Sequence, residues 1–301
     1  MKTLKEYAAI VNGHLETVPP VYGEGNFEID EMPWLLSESM RYSLCAGGKR
    51  LRPSMLMAAV EMMGGSIEDS IDFACAVEMI HTYSLIHDDL PGMDNDSMRR
   101  GRPTNHVVYG EGQAILAGDG LLNYAFETML EKAASEPAKA YNRLLAIREI
   151  ARGAGVTGMI GGQVMDLYCE NNKRSDQKAL EYIQYGKTAC MFIYPLRAAG
   201  RLCGASDAEM NALTEYGCAF GRLFQATDDL LDIVGDAEEM GKTLGKDQNS
   251  GKLTCISAYG IEGTRALVDE LCNTALKSLG IFEGRAAFFA KLVHDMVDRT
   301  N

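Results

Sequence analysis

The sequence has no C-x-x-C pair, no excess of positive charge and no low-complexity linker. It also lacks any apolar run of the roughly 18 residues that a membrane-crossing helix needs. Each absence removes a class of protein. The eight cysteines (45, 75, 169, 190, 203, 218, 255 and 272) sit inside apolar segments, where a thiol behaves as a small hydrophobe. Neither a disulfide framework nor a zinc site is therefore expected. Asp plus Glu number 42 against 29 Lys plus Arg, a net charge of −13, which argues against nucleic acid as the main partner. An anionic ligand remains possible, because clustered bases create a local positive field within an acidic chain. The opening MKTLKEYAAIVNGHLE has no continuous apolar stretch after its lysines and reads as an amphipathic helix, not a signal peptide. A reducing cytoplasm is the expected location.

What is present is helical. At 301 residues and 47% hydrophobic the chain can bury a sizeable core. In RPSMLMAAVEMMGG, Pro53 is placed to open a helix and Gly64-Gly65 to stop it. Residues 71–90 are apolar nearly all round, the mark of a helix surrounded by others. Helical patterns continue over 121–134, 142–155, 177–202, 208–233, 264–279 and 285–299, and no segment alternates like a strand. The main loops are 17–33, 91–106 and 235–252. The expected architecture is all-α: one domain over 1–301, a helical bundle around a central cavity.

Two places break the apolar pattern in the same way. SLIHDDLPGMDNDSMRRGRPTNH (84–106) carries Asp88 and Asp89 at the end of the apolar helix, breaks at Pro91-Gly92, and continues to Asp94. FQATDDLLD (224–232) again ends an apolar helix in Asp-Asp. There Gln225, Asp228, Asp229 and Asp232 fall at i, i+3, i+4 and i+7, along one helical stripe. Either cluster alone reads as a solvated helix end. Together, if the helices face each other, they would converge carboxylates that cannot all stay ionised without cations. Hard oxygen ligands in a partly open site suit Mg²⁺ completed by water and phosphate oxygens.

Bases accompany both clusters. GGKRLRP (47–53) supplies Lys49, Arg50 and Arg52; Arg99-Arg100 follow the first cluster; Lys187-Thr188 follow Gly186; Lys242, Lys246 and Lys252 follow the second. Flexible glycines beside bases suit a diphosphate. The Gly-rich 241–254 lacks the spacing and preceding strand of a nucleotide loop. His81 precedes Asp88 by seven residues, on nearly the same face, and is read as a phosphate contact; His87 faces elsewhere and is read as structural. GMIGGQVMDL (158–167) places glycines inside a helix, which indicates close packing there or a ligand near Gln163 and Asp166.

GGKRLRP, HDDLPGMD, RRGRPTNH, GKT, FQATDDLLD and GKLT, in this order, resemble the trans-isoprenyl diphosphate synthases (polyprenyl synthetases), most of all their bacterial farnesyl diphosphate synthase branch. The resemblance covers essentially the whole chain. It implies a homodimer that condenses isopentenyl diphosphate with dimethylallyl and geranyl diphosphates to farnesyl diphosphate through an allylic carbocation. Asp88, Asp94 and Asp228 would hold Mg²⁺, with Asp89, Asp229 and Asp232 in support. Arg99, Lys187 and Lys242 would grip the allylic diphosphate; Lys49, Arg52, His81 and Arg100 would hold isopentenyl diphosphate. Thr188 and Gln225 would sit near the reacting carbons, and Lys252 would contribute as a lid closes. The departing proton would go to the released diphosphate. Asn95, Ser97 and Met98 stand where relatives often carry Asp, Asp and Leu. Tyr83 and Ser84, one turn before Asp88, would set product length, an aromatic at the first position going with fifteen carbons. A geranylgeranyl diphosphate synthase shares the chemistry and is the nearest alternative. A terpene cyclase would need no second diphosphate site, and a non-catalytic partner subunit would need neither acidic motif.

Overall fold

The computed structural model describes residues 2–298 except 26, 27, 30, 175 and 235–252. The fold is all-α, and the chain divides into two compact units that meet in sequence between Ile147 and Arg148.

The first unit holds α1 (Leu4–Leu15), α2 (Trp34–Leu44), α3 (Leu51–Met62), α4 (Ile67–Asp88), α5 (Asn105–Tyr109) and α6 (Glu111–Ser135). Thr3 and Glu6 form a capping box that starts α1, and Tyr7, Val11 and Leu15 give it one buried face, as its amphipathic pattern requires. Pro53 lies in the first turn of α3, and Gly64, at φ 82°, ends that segment. α4 is the centre. It begins four residues before the expected 71 and stops at Asp88, with Asp89 as C-cap. Phe73 to Val77, Met79 and Ile80 are fully buried, because α1, α2, α3 and α6 all pack on this helix. Each large side chain among them contributes roughly 1.5–3 kcal/mol. On α6, Gly118 makes room for His87: a Cβ there would lie 2.1 Å from the imidazole Nε2.

No strand was expected, yet β1 (Met98–Arg99) and β2 (Arg102–Pro103) form a short antiparallel pair. The turn between them places Arg100 and Gly101 at φ 52° and 73°. Positive φ at both central positions is the type I′ pattern that matches strand twist. It arises here without the Asn-Gly or Asp-Gly signal that announces it in sequence.

The second unit contains the later part of α7 (Ala140–Ala154), α8 (Met159–Asn171), α9 (Gln177–Ile183), a π-helical turn (Gln184–Ala189), α10 (Cys190–Leu202), α11 (Asp207–Val234), α12 (Cys255–Ser278) and α13 (Ala287–Val297). α11 is its core element, packed on α10 and α12. Tyr216 and Phe220 stack at 5.7 Å, and the Tyr216 hydroxyl donates to the Phe289 carbonyl at 2.9 Å. The single helix expected over 177–202 is interrupted by the π turn. α12 starts at Cys255 rather than 264, after a Thr254–Ser257 capping box, and kinks at Gly260 (φ 69°).

All eight cysteines are free thiols, but Cys45 is exposed, contrary to the expectation that each lies in an apolar setting. No helix among the described residues is long and apolar enough to cross a membrane.

Candidate active site

At the first acidic cluster the Pro91-Gly92 break closes a tight loop. The Asp94 amide donates to the Asp88 carbonyl at 2.8 Å, and the Asn95 amide to the Leu90 carbonyl at 3.1 Å. Asp94 is thereby returned to the end of α4, as the spacing predicts. Asp89 turns inward instead: it is 3% exposed and binds Arg99 Nε at 2.9 Å and Nη2 at 2.7 Å. Burial pushes the Asp89 carboxyl up, with Arg99 acting against it. Arg99, expected to grip a diphosphate, is thus also the anchor of the hairpin.

The bases of 47–53 do not all point one way. Lys49 is exposed. Arg52 Nη1 lies 3.4 Å from His81 Nε2; since a guanidinium only donates, Nε2 is the acceptor and the ring proton sits on Nδ1. Burial, reinforced by Arg52, Arg100, Arg99 and Arg50, holds His81 well below the usual histidine range. Arg100 donates to the Gly47 carbonyl and lies over Gly48, where a Cβ would come within 2.8 Å of the guanidinium carbon. The structure therefore brings Arg52, His81, Arg100 and the Gly47-Gly48 backbone together. Arg50 departs from its expected place among the diphosphate-facing bases. It is 2% exposed and bonds Glu78 Oε1 at 2.6 Å, Asn12 Oδ1 at 2.9 Å and the Leu44 carbonyl at 2.7 Å.

Of the two positions expected to set product length, Tyr83 is 6% exposed. Its ring stands edge-on to His87 at 5.7 Å, and burial raises its hydroxyl to about 12. His87 itself sits 3.0 Å from the Ile115 carbonyl, a structural role as predicted. Ser84 donates to the His81 carbonyl at 2.9 Å, within its own helix.

In the second unit the expected acidic stripe divides. Asp229 is 4% exposed; it accepts from Gln225 Nε2 at 2.9 Å and from the Cys255 amide at 2.7 Å, which anchors the start of α12. Asp228 and Asp232 are half-buried. Thr188 Oγ1 donates to Gln225 Oε1 at 3.3 Å, so the two residues expected near the reacting carbons touch. Lys187 Nζ binds Asp166 Oδ2 at 2.5 Å. Gly162 explains the glycines of α8: a Cβ there would lie 2.0 Å from the Lys187 amide nitrogen. Close packing is the outcome, and Asp166 is part of it. Lys242, Lys246 and Lys252 lie outside the described residues.

Among the described residues no three His, Cys, Asp or Glu side chains form a group that could hold a metal ion. Asp88 and Asp94 offer hard oxygens from a loop that brings their backbones together. Such a donor set fits Mg²⁺, which keeps several waters and takes one or two carboxylates plus phosphate oxygens, better than it fits the closed cages of Zn²⁺ or Ca²⁺. Glu78 was missed in the sequence, although a lone carboxylate inside FACAVEMIHTYSLI signals a buried cation opposite.

Residues 33–279 match the polyprenyl synthetase family model. A geranylgeranyl diphosphate synthase from Cyanophora paradoxa is 40% identical over 269 residues, 89% of each chain. An FPP/GFPP synthase from Zymomonas mobilis superposes with a TM-score of 0.84 at 30% identity, covering 98% of this chain and 97% of its own. A geranyltransferase from Helicobacter pylori, complexed with magnesium and isoprenyl diphosphate, superposes at 0.80 with 27% identity, covering 98% and 95%.

Proposed function

This chain belongs to the polyprenyl synthetase family, and we propose that it joins isopentenyl diphosphate head to tail to allylic diphosphates, ending at geranylgeranyl diphosphate. It is a prenyltransferase by family; substrates and product are the proposal. The return of Asp94 onto the Asp88 carbonyl carries the reading, since it sets two carboxylate residues at the end of a buried helix with Arg99 and Arg100 close behind in sequence. The Cyanophora relative supports the twenty-carbon product.

Asp88, Asp94 and Asp228 would hold Mg²⁺, as the donor chemistry and the magnesium-bearing Helicobacter neighbour support. Bound there, Mg²⁺ would offset charge building on the departing diphosphate. Arg99, Lys187 and Lys242 would take the allylic diphosphate; Asp166, now on Lys187 Nζ, keeps that ammonium oriented until a phosphate competes for it. Lys49, Arg52, His81 and Arg100 would take isopentenyl diphosphate, with Thr188 and Gln225 beside the reacting carbons and Lys252 closing the site. The family match runs unbroken through both compact units, which supports one catalytic domain. A cytoplasmic homodimer completes the proposal.

Farnesyl diphosphate is the second reading, favoured by the bulk of Tyr83 one turn before Asp88. Incubating the protein with isopentenyl and dimethylallyl diphosphates and Mg²⁺, then sizing the dephosphorylated products, separates the two. A twenty-carbon alcohol supports the first, a fifteen-carbon alcohol the second, and the absence of any condensation product overturns both.

A further inference from the structure

Arg50 sits between two of the residues assigned to isopentenyl diphosphate, yet it faces the protein. Its backbone is left-handed, φ 49° and ψ 37°, where a side chain other than glycine is strained. Such a conformation persists only where surrounding contacts over-determine it. Three hydrogen-bonded partners do so here: Glu78 on α4, Asn12 on α1, and the carbonyl of Leu44, the last residue of α2. The Arg50–Glu78 pair is closed from water, with side-chain exposures of 1% and 2%.

Glu78 lies one turn before His81 on the same helix, and His81 in turn meets Arg52. One ion pair therefore ties the 47–50 loop, and with it the start of α3 that carries Arg52, to α4 immediately beside the histidine, while Arg100 covers the loop's other end at Gly47 and Gly48. We propose that Arg50 and Glu78 are a positioning pair: by locking the loop in its left-handed turn they fix the spacing of Lys49 and Arg52 against His81, and so set affinity for the diphosphate of isopentenyl diphosphate but not for that of the allylic partner. The inference rests on the proposed isopentenyl diphosphate site. Neither residue touches substrate. Removing one charge of such a buried pair leaves the other uncompensated, whereas replacing both by apolar residues of similar volume restores stability without the directional contact.

Glu78→Gln keeps the shape and removes the charge. Calorimetric binding of isopentenyl diphosphate should weaken about tenfold, roughly 1.4 kcal/mol, while dimethylallyl diphosphate with Mg²⁺ stays within about twofold. The KM for isopentenyl diphosphate should rise to match, with kcat falling less than about threefold. The double variant Arg50→Met/Glu78→Leu should recover part of the melting temperature lost in the single variant, since the Leu44 carbonyl and Asn12 also lose their donor, and should keep the weak isopentenyl diphosphate binding; it carries the same readout should the single variant not fold. Equal losses for the two ligands, or wild-type isopentenyl diphosphate affinity in a folded variant, overturn the positioning role. Wild-type protein that binds and condenses neither substrate overturns the functional reading instead.

Discussion

Gly162 of α8 and Lys187 of the π turn are in backbone contact: a Cβ on Gly162 would lie 2.0 Å from the Lys187 amide nitrogen and 2.6 Å from the Gly186 carbonyl carbon. Asp166 stands four residues further along α8, on the same face, and takes the Lys187 ammonium. The glycine sets the approach and the aspartate aims the side chain.

Gly162→Ala should therefore destabilise the protein by roughly 1–3 kcal/mol through overpacking and displace Lys187. Gly13, within α1, has nothing within 4 Å of an added Cβ, so Gly13→Ala should gain roughly 0.5–1 kcal/mol. Thermal unfolding of the two variants checks this; equal melting temperatures would show that the two backbones are not in contact.

Turnover should need a divalent cation, vanish in excess EDTA and return with Mg²⁺. Asp88→Asn and Asp228→Asn should each lower kcat by about two orders of magnitude or more with the far-ultraviolet circular dichroism preserved. Full activity in EDTA rules out the metal assignment.

His81 links pH to stability. Folded, it resists protonation because it is half-buried and desolvated, with Arg52, Arg100, Arg99 and Arg50 opposing its charge; unfolded, it takes a proton near pH 6.5. Its folded pKa is the lower of the two, so between them the unfolded chain binds more protons and stability falls as pH falls. The slope is up to about 1.4 kcal/mol per pH unit, starting below about pH 6.5 and ending at the depressed folded pKa. Denaturant midpoints at about pH 7 and pH 5.5 should drop further in the wild type than in His81→Gln. Parallel drops would mean that His81 titrates normally.

Tyr83 and His87 share an edge-on contact that keeps the phenol ring in a fixed place one turn before Asp88. Tyr83→Ala should lengthen the product by at least one isoprene unit relative to the wild type, while costing roughly 3–5 kcal/mol of stability. Chromatography of the dephosphorylated products gives the answer; an unchanged length leaves Tyr83 a core residue only.

The sequence made α4 and α11 legible because α4 is apolar nearly all round and α11 keeps an apolar stripe until the aspartates, and Asp94 legible because Pro91-Gly92 forces the chain back. It did not show the hairpin, whose turn uses Arg100 where asparagine would have announced it. Nor did it show the π turn, which packs against a glycine two dozen residues away in α8. Asp229 fell on the same helical stripe as Asp228, because the helical wheel cannot see the Cys255 amide that draws it inward. Arg50 looked equivalent to Lys49 and Arg52 for the same reason: its partner lies on another helix.

The π turn also makes residue count, not only residue type, a constraint on α9 and α10. A π turn accommodates one more residue than an α turn over the same rise. Deleting a single residue between Gln184 and Ala189 would let ordinary α-helical pairing run through, which keeps α9 and α10 aligned but turns the side chains within the turn to new faces. Thr188 could not then meet Gln225 while Lys187 still met Asp166. A chain that tolerates many substitutions along this helix should tolerate no change of length there.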